Sequence, residues 1–378
     1  MKDKDPTLHW EGEMAGKFSY KKFSDLNVDD PFFDSLKADY PGSVHSTGFV
    51  DWFSKKSQND ANRALVFNDE IGLGAFVYLK EENESVKLLE GELPARPRKK
   101  IGTFVLAERY RGQRLGEGAL GIALWIWQRE KIQEIYVTVF EKHAQLIELL
   151  RKFGFEKIGE NLNGELVYLK DRAAIDYSNP YKSFPFIDPN FQNAGYLIID
   201  DKYHDTLFPY SELRTGMRKQ VAIAAANGLT KIYIGSPLEV YPYRRNEPVL
   251  IYRRYTEQDG NKGFKSCVTS YGVVNNIIVV KKNGDIRMSF EEACRCIGNK
   301  SIFDNENIKS YYQNRKNLVI VELLYFGFFG SGNNVNWHWL KDNKLWPDQY
   351  PTTARLTQEN FKTIINEGGI DVSNVIVD

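Results

Sequence analysis

Residues 111–118 read Arg-Gly-Gln-Arg-Leu-Gly-Glu-Gly, and they join a strand-like segment at 100–107 to an apolar run of helical periodicity at 115–131. A glycine-bearing turn between a strand and a helix leaves several main-chain N–H groups without partners at the positive end of the helix dipole. Such a turn suits a pyrophosphate, although glycines in turns often serve steric needs alone. The flanking sequence favours the phosphate-binding interpretation.

Strands alternate with helices along the first half of the chain. Two-residue periodicity predicts strands, and apolar faces spaced for a helix predict helices. The predicted strands lie at 18–23, 64–68, 72–79, 101–106, 134–140, 156–159 and 166–169, and the helices at 30–39, 48–56, 115–131 and 144–153. This alternation predicts a mixed α/β sheet.

Length and composition predict two domains of an ordinary globular protein. The chain has 378 residues, 50 Lys+Arg against 50 Asp+Glu, and three cysteines, so neither a strong global field nor a disulfide framework is expected. We predict a first domain at 1–175, a proline-marked linker at 176–190 and a strand-rich α+β domain at 191–378. The charged N-terminus and the lack of long apolar runs favour a cytoplasmic protein without a membrane partner.

The first half resembles the GNAT superfamily of acyl-CoA-dependent N-acyltransferases. The resemblance spans about 18–170 and is carried by the strand IGTFVL, the turn RYRGQRLGEGAL, the strand EIYVTVF and the segment KHAQLIELLRKFGF. It implies a splayed central sheet, acetyl-CoA as co-substrate and no metal. In this family the glycine turn holds the CoA pyrophosphate, and the preceding strand holds the pantetheine arm. The cofactor-binding residues implied are Phe104, Val105, Arg111, Gly112, Gln113, Arg114, Leu115, Gly116 and Gly118.

The chain departs from the family pattern at three positions. The pattern Arg/Gln-x-x-Gly-x-Gly/Ala, started at Arg111, meets Arg114 where glycine is usual. Leu150 stands where many members have a tyrosine that protonates the leaving thiolate, and the position of the glutamate base in some members falls near Lys100. Neither catalytic residue is therefore carried over. His143 and Glu108 are the catalytic candidates. The alternative for His143 is a helix-capping or surface histidine, and the alternative for Glu108 is a solvated side chain.

The second half interleaves basic and aromatic residues in two runs, 241–245 (YPYRR) and 252–255 (YRRY). Arginine binds phosphate and tyrosine stacks on bases, so this mixture suits single-stranded nucleic acid, but a strand with packed tyrosines gives the same pattern. Clustered tryptophans next to a glycine-rich loop form either a cage or ordinary packing. The nucleic-acid-binding candidates are Tyr243, Arg244, Arg245, Arg253, Arg254, Trp337 and Trp339.

The layout of 196–369 also resembles PUA-like domains of the ASCH type, which implies a barrel that binds RNA or modified nucleotides. The leading hypothesis is therefore an N-acetyltransferase that acts on an RNA- or nucleotide-linked amine delivered by this domain. The first alternative is an acetyltransferase for protein or small-molecule amines with a structural second domain. The other is a non-enzymatic RNA reader with a degenerate first domain.

Overall fold

The first half forms a seven-stranded mixed sheet. The computed structural model describes residues 18–43, 47–209, 211, 224–237, 243–257, 261–348 and 351–377. The strands of this half are β1 (Phe18–Lys22), β2 (Arg63–Asn68), β3 (Leu73–Glu82), β4 (Val86–Lys87), β5 (Glu92–Leu93), β6 (Arg98–Leu106), β7 (Glu134–Val139), β8 (Glu156–Glu160) and β9 (Leu166–Asp171). The sheet order is β1-β2-β3-β6-β7-β9-β8, and β4 pairs with β5 apart from it. The predicted mixed α/β sheet is confirmed.

Four helices cover the two faces of this sheet: α1 (Asp34–Asp39), α2 (Phe49–Ser57), α3 (Leu115–Glu130) and α4 (Ala144–Lys152). Side chains alternate across each strand, so Ile135 and Val137 of β7 pack in the core beneath α3 and α4. The opposite face carries a separate aromatic core, in which Phe76 and Tyr78 of β3 pack under α2. None of the described helices is long and apolar enough to cross a membrane.

The second half is built around a five-stranded sheet. Its strands are β10 (Gly195–Asp200), β11 (Thr230–Gly235), β12 (Pro248–Arg254), β13 (Cys267–Lys282), β14 (Asp285–Ile286), β15 (Leu318–Phe328) and β16 (Val335–Asn336). The order is β10-β12-β13-β15-β11, with β14 and β16 paired to β13. The run at 267–280 is a single strand whose pairing with β15 shifts register three times.

Short helices surround this second sheet. They are α5 (Pro180–Ser183), α6 (Asp201–Leu207), α7 (Ala224–Asn227), α8 (Lys262–Lys265), α9 (Phe290–Ile297), α10 (Asn305–Asn314), α11 (Trp337–Asp342), α12 (Gln358–Glu367) and α13 (Val372–Val375). The best-capped of them is α9, where Ser289 and Glu292 exchange reciprocal capping hydrogen bonds.

The two halves share one continuous apolar core. Trp125 of α3 is buried and donates its indole N–H to the carbonyl of Phe326, at 2.6 Å. Phe184 and Phe186, within the stretch predicted as a linker, are fully buried in the same core. That stretch therefore packs between the two sheets and does not behave as a loose connection. Helix α3 consequently has the first sheet on one side and the second half on the other.

Candidate active site

The central strands β6 and β7 diverge in the middle of the first sheet. They pair in parallel only over four residues, from Arg98↔Glu134 to Ile101↔Val137. Beyond that point β6 continues along β3 to Leu106, and β7 continues along β9 to Val139. Within the described residues, no strand fills the gap that opens between them. An extended ligand with amide groups can pair with such an exposed edge.

The residues predicted to hold the pantetheine arm lie on the open part of β6. Phe104 packs towards the core beneath α3 and α4, whereas Val105 packs towards the aromatic core on the other face. Both side chains are thus engaged, so their contribution to a ligand would come from the main chain. A register shift in the β3–β6 pairing leaves Gly102 out of register where the gap begins.

The glycine turn lies directly after β6. Gly112 and Arg114 adopt positive φ values of 73° and 61°, and α3 then begins at Leu115 without a side-chain cap. The first N–H groups of a helix have no acceptor within the helix. Arg111, Gly112 and Gln113 are exposed. The turn therefore presents open main-chain donors and the positive end of a 16-residue helix, which together suit a phosphate.

A hydrogen-bond network holds the start of the turn. The guanidinium of Arg109 makes two 3.0 Å hydrogen bonds to the carboxylate of Asp69, which also accepts a 2.6 Å bond from the hydroxyl of Tyr110. Burial works to raise the pKa of Asp69, but the bonds from Arg109 and Tyr110 hold it well below its usual range. The turn is thus tied to the β2–β3 connection by a carboxylate that stays ionised.

Three of the predicted cofactor-binding residues make their side-chain or packing contacts inside the protein. Arg114 donates to Glu117 at 2.9 Å and to the carbonyl of Thr230 at 2.6 Å, in the second half of the chain. Leu115 is fully buried in the core. A Cβ at Gly118 would overlap the main-chain oxygen of Asn227. The guanidinium of Arg114, a residue implied to bind the cofactor, is therefore held by a carboxylate and by a carbonyl of the second half.

Gly116 keeps a position suited to its predicted role. It is partly buried in the first turn of α3, and a Cβ there would lie 2.9 Å from the side chain of Leu106. It therefore lies where the open strand β6 meets the beginning of the helix. A large side chain at this position would project into that junction.

The two catalytic candidates from the sequence lie at the surface. Glu108 is 74% exposed and pairs with Arg111 at 2.8 Å. The imidazole Nε2 of His143 lies 2.7 Å from the carboxylate of Asp39, which also pairs with Lys142. His143 thus links the start of α4 to the end of α1, and the structure brings neither candidate together with the buried polar groups described next.

A buried carboxylate that sequence reasoning missed lies at the mouth of the gap. Glu165 is 5% exposed. It accepts hydrogen bonds from the Tyr40 hydroxyl at 2.6 Å, the Thr138 hydroxyl at 3.1 Å and the Asn161 amide at 2.8 Å. Thr138 is the first residue of β7 beyond its paired stretch with β6. Burial and the bond to Glu165 raise the pKa of Tyr40.

A second group of ionisable side chains lies on the same face of the sheet. The carboxylate of Glu82 accepts a hydrogen bond from the hydroxyl of Tyr136 and forms an ion pair with Lys80. The ammonium of Lys100 lies 4.0 Å from the same carboxylate. Burial lowers the pKa of Lys100, while Glu82 and Glu165 act to raise it. Lys100, at the position where some relatives of the resembled family carry a glutamate base, is therefore one cation within a mixed-charge cluster.

Residues 83–97, which we call the strap, cross this face. The strap leaves β3 and returns into β6, and it contains the β4–β5 pair. Its Leu88 forms a bridge with Asn161, and the N–H of Leu89 donates to the carbonyl of Glu160 at 2.8 Å. Because Asn161 also bonds Glu165, the strap closes one side of the region around the buried carboxylate.

The basic and aromatic residues predicted to bind nucleic acid have different surroundings. Tyr243 is buried and donates to the carbonyl of Tyr196. Arg253 is buried and makes bonds of 2.7 and 2.9 Å to Asp205. Arg254 pairs with Asp200 at 2.5 Å. For Tyr243 and Arg253 the binding prediction is corrected, since each is used inside the fold.

Arg244 and Arg245 are exposed, and residues 241 and 242 of the same run lie outside the described residues. The three clustered tryptophans, Trp337, Trp339 and Trp346, pack against the hydrophobic core of the described residues. Trp337 and Trp339 are partly buried on α11, and Trp346 packs on Tyr252 with ring centroids 4.5 Å apart. The cage interpretation is corrected to packing.

The described residues contain no group of three His, Cys, Asp or Glu side chains that could hold a metal ion. All three cysteines are unpaired thiols, with Cys267 buried and Cys294 and Cys296 partly so.

Comparison with known proteins gives one local match in sequence. No family model matches the chain. Over 73 residues it is 36% identical to the spermine/spermidine N(1)-acetyltransferase of Bacillus subtilis, covering 19% of this chain and 48% of that protein. The chain thus spans about half the length of this curated relative. The match agrees with the expectation of an acyl-CoA-dependent N-acyltransferase.

Solved structures show distant similarity to each of the two resembled families. A GNAT-family acetyltransferase from Streptococcus agalactiae is 18% identical, covering 29% of this chain and 65% of that one, with a TM-score of 0.24. The ZmASCH mutant protein from Zymomonas mobilis is 8% identical, covering 46% and 96%, with a TM-score of 0.31.

Proposed function

We propose that this protein is an acyl-CoA-dependent N-acyltransferase whose acyl donor is acetyl-CoA. One observation carries the proposal: the gap between β6 and β7 opens directly before a glycine turn that starts an uncapped 16-residue helix. A ligand that combines a pyrophosphate with an amide-bearing arm matches these two features in that order. The local identity to an N-acetyltransferase supports the same assignment.

In this proposal the main-chain N–H groups of Gly112 and of residues 114–117 bind the CoA pyrophosphate, and the open edge of β6 pairs with the pantetheine amides. The thioester carbonyl then lies beside Gly102–Phe104, where a main-chain N–H stabilises the oxyanion. An amine nitrogen attacks the thioester carbon and forms the new C–N bond. The C–S bond breaks, and the thiolate leaves as CoA after it receives a proton.

Glu165 is the residue that we assign to the acceptor amine. Its carboxylate lies at the mouth of the gap, bonded to Tyr40 and Thr138. A carboxylate in this place attracts an ammonium group and accepts a proton from it before or during attack. The hydroxyl of Tyr40 bonds the same carboxylate and orients it. Tyr40 is not assigned the role of the tyrosine that protonates the leaving thiolate in many family members, where this chain has Leu150.

The class of acceptor is a further part of the proposal. By its name the curated relative acts on spermine and spermidine, so polyamines are the first amines to test. The finer hypothesis of an amine on RNA or a nucleotide, delivered by a PUA-like second domain, depends on Arg244 and Arg245, which are exposed. Two adjacent arginines can contact phosphate.

The test is isothermal titration of the protein with acetyl-CoA, beside Gly116→Trp and the control Glu148→Trp. A tryptophan at 116 projects into the junction of β6 and α3, whereas Glu148 is exposed on α4. We expect binding by the wild type and the control and none by Gly116→Trp, with circular dichroism showing that all three proteins are folded at the titration temperature. Failure of the wild type to bind would overturn the proposal.

A further inference from the structure

Two asparagines from the second half bond consecutive carbonyls of the glycine turn. The side-chain amide of Asn299 donates to the carbonyl of Gly112 at 2.9 Å, and that of Asn227 donates to the carbonyl of Gln113 at 3.1 Å. Both carbonyls therefore face the second half. The turn is thus held from outside its own domain at the two residues that precede the helix start.

These bonds determine where the neighbouring N–H groups point. In a trans peptide the C=O and the following N–H are antiparallel. The bond from Asn227 to Gln113 therefore directs the N–H of Arg114 away from the second half, towards the open side of the turn. The bond from Asn299 to Gly112 similarly orients the N–H of Gln113. This N–H donates to the main-chain carbonyl of Tyr110 at 3.0 Å and closes the turn.

The second half also stabilises the unusual backbone at the helix start. Arg114 has a φ of 61°, a left-handed conformation that is unfavourable for a non-glycine residue. Its guanidinium is held by the carbonyl of Thr230 and by Glu117, and a Cβ at Gly228 would overlap it. Glu117 in turn accepts bonds of 2.6 and 2.7 Å from the N–H and hydroxyl of Thr230.

Positive charge lies next to this arrangement on the side of α4. The ammonium of Lys152 is 42% exposed and lies 3.9 Å from the carboxylate of Glu117. Lys300, adjacent to Asn299, is paired with Glu322. Both cations therefore lie beside carboxylates at the contact between the halves.

We propose that Asn227 and Asn299 are positioning residues for the acyl-CoA phosphates, so that the second half of the chain completes the acyl-CoA site. This inference rests on the proposed function. The two amides hold the turn in the conformation that presents its N–H groups, and neither touches the acyl group or the acceptor amine. The chain needs both halves to bind its donor tightly.

The experiment compares Asn227→Ala, Asn299→Ala and the double variant with the wild type and with Asn343→Ala. Asn343 is a matched control, because its exposed side chain also donates to a main-chain carbonyl, that of Trp339, at 2.9 Å. Titration calorimetry measures the Kd of acetyl-CoA and of ADP 3′-phosphate, a fragment that keeps the pyrophosphate without the thioester. We expect each single variant to raise both Kd values about tenfold, the size of one lost hydrogen bond to an oriented group.

Hydrogen exchange on the ligand-free proteins provides a readout that does not depend on acetyl-CoA. The amides of Gln113 and Gly118 are bonded within the turn, and their exchange should accelerate about tenfold in the double variant and stay unchanged in Asn343→Ala. Equal Kd values for all five proteins would overturn the positioning role while the proposed function stands. Absence of binding by the wild type would overturn both, and unchanged exchange would show that the amides do not hold the turn.

Discussion

Two regions that the sequence marks as ligand-binding differ in how the fold uses them. In the turn at 111–118, the N–H groups of Arg111, Gln113 and Gly118 bond within the turn and the others remain as donors, and Arg111 is 64% exposed. In the run at 252–255, Arg253 is buried against Asp205 and Tyr252 packs on Trp346. The turn depends on main-chain groups, which distant Asn227 and Asn299 hold in place, whereas the basic run depends on side chains, which distant partners can pair with.

Arg114 shows that the same rule holds inside the turn. It is one of the residues that the resemblance implies for the cofactor, yet its side chain bonds the carbonyl of Thr230, 116 positions away in the sequence. The tertiary structure therefore decides the role of this charged side chain.

The largest expected effect is a loss of catalytic rate when the buried carboxylate of Glu165, at the gap between β6 and β7, is replaced. Glu165→Gln keeps the shape of the buried carboxylate but removes its charge and its ability to accept a proton. We expect kcat for acetyl transfer to fall about 100-fold or more, with the Kd of acetyl-CoA unchanged. Steady-state kinetics with a polyamine acceptor measure it, and Glu160→Gln on the adjacent strand is the control. An unchanged kcat would remove Glu165 from the mechanism.

The contact between the halves is tested by Gly118→Ala. A Cβ there would overlap the main-chain oxygen of Asn227, which cannot move without shifting the backbone of the second half. We expect the free energy of unfolding to fall by about 3 kcal/mol, measured by urea denaturation. Gly116→Ala on the same helix meets only the side chains of Leu106 and Leu149 and should change stability by about 1 kcal/mol or less. Equal effects would mean that the halves do not pack as described.

The pH dependence of stability tests the buried pair in the basic run. Burial works to raise the pKa of Asp205, but the bonds from Arg253 and His204 lower it to about 2 from 3.8. The folded-state pKa is depressed, so the stabilisation is present above pH 4 and is lost as the pH falls towards 2. It amounts to about 2 kcal/mol. The difference in unfolding free energy between wild type and Asp205→Asn should narrow by that amount over this range.

The smallest effect concerns the remaining exposed arginines. If the second half binds RNA through Arg244 and Arg245, the double alanine variant should weaken binding several-fold and reduce the slope of log K against log salt by about 2. Fluorescence anisotropy with a single-stranded RNA at several salt concentrations measures it. Lys309→Ala with Arg315→Ala on and after α10 provides a control of equal charge. Equal slopes for both variants would leave the second half without a specific RNA contact at this run.

The sequence by itself determined the mixed sheet of the first half and the turn before α3, because strand and helix periodicity and glycine placement are local properties. It also located the strand-rich second half. Only the tertiary structure decided that Glu165 meets Tyr40 across 125 residues, that Arg253 is paired, and that Asn227 and Asn299 hold the turn. These contacts join residues far apart in the chain, and no spacing in the sequence encodes which distant partners come together when a shared core forms.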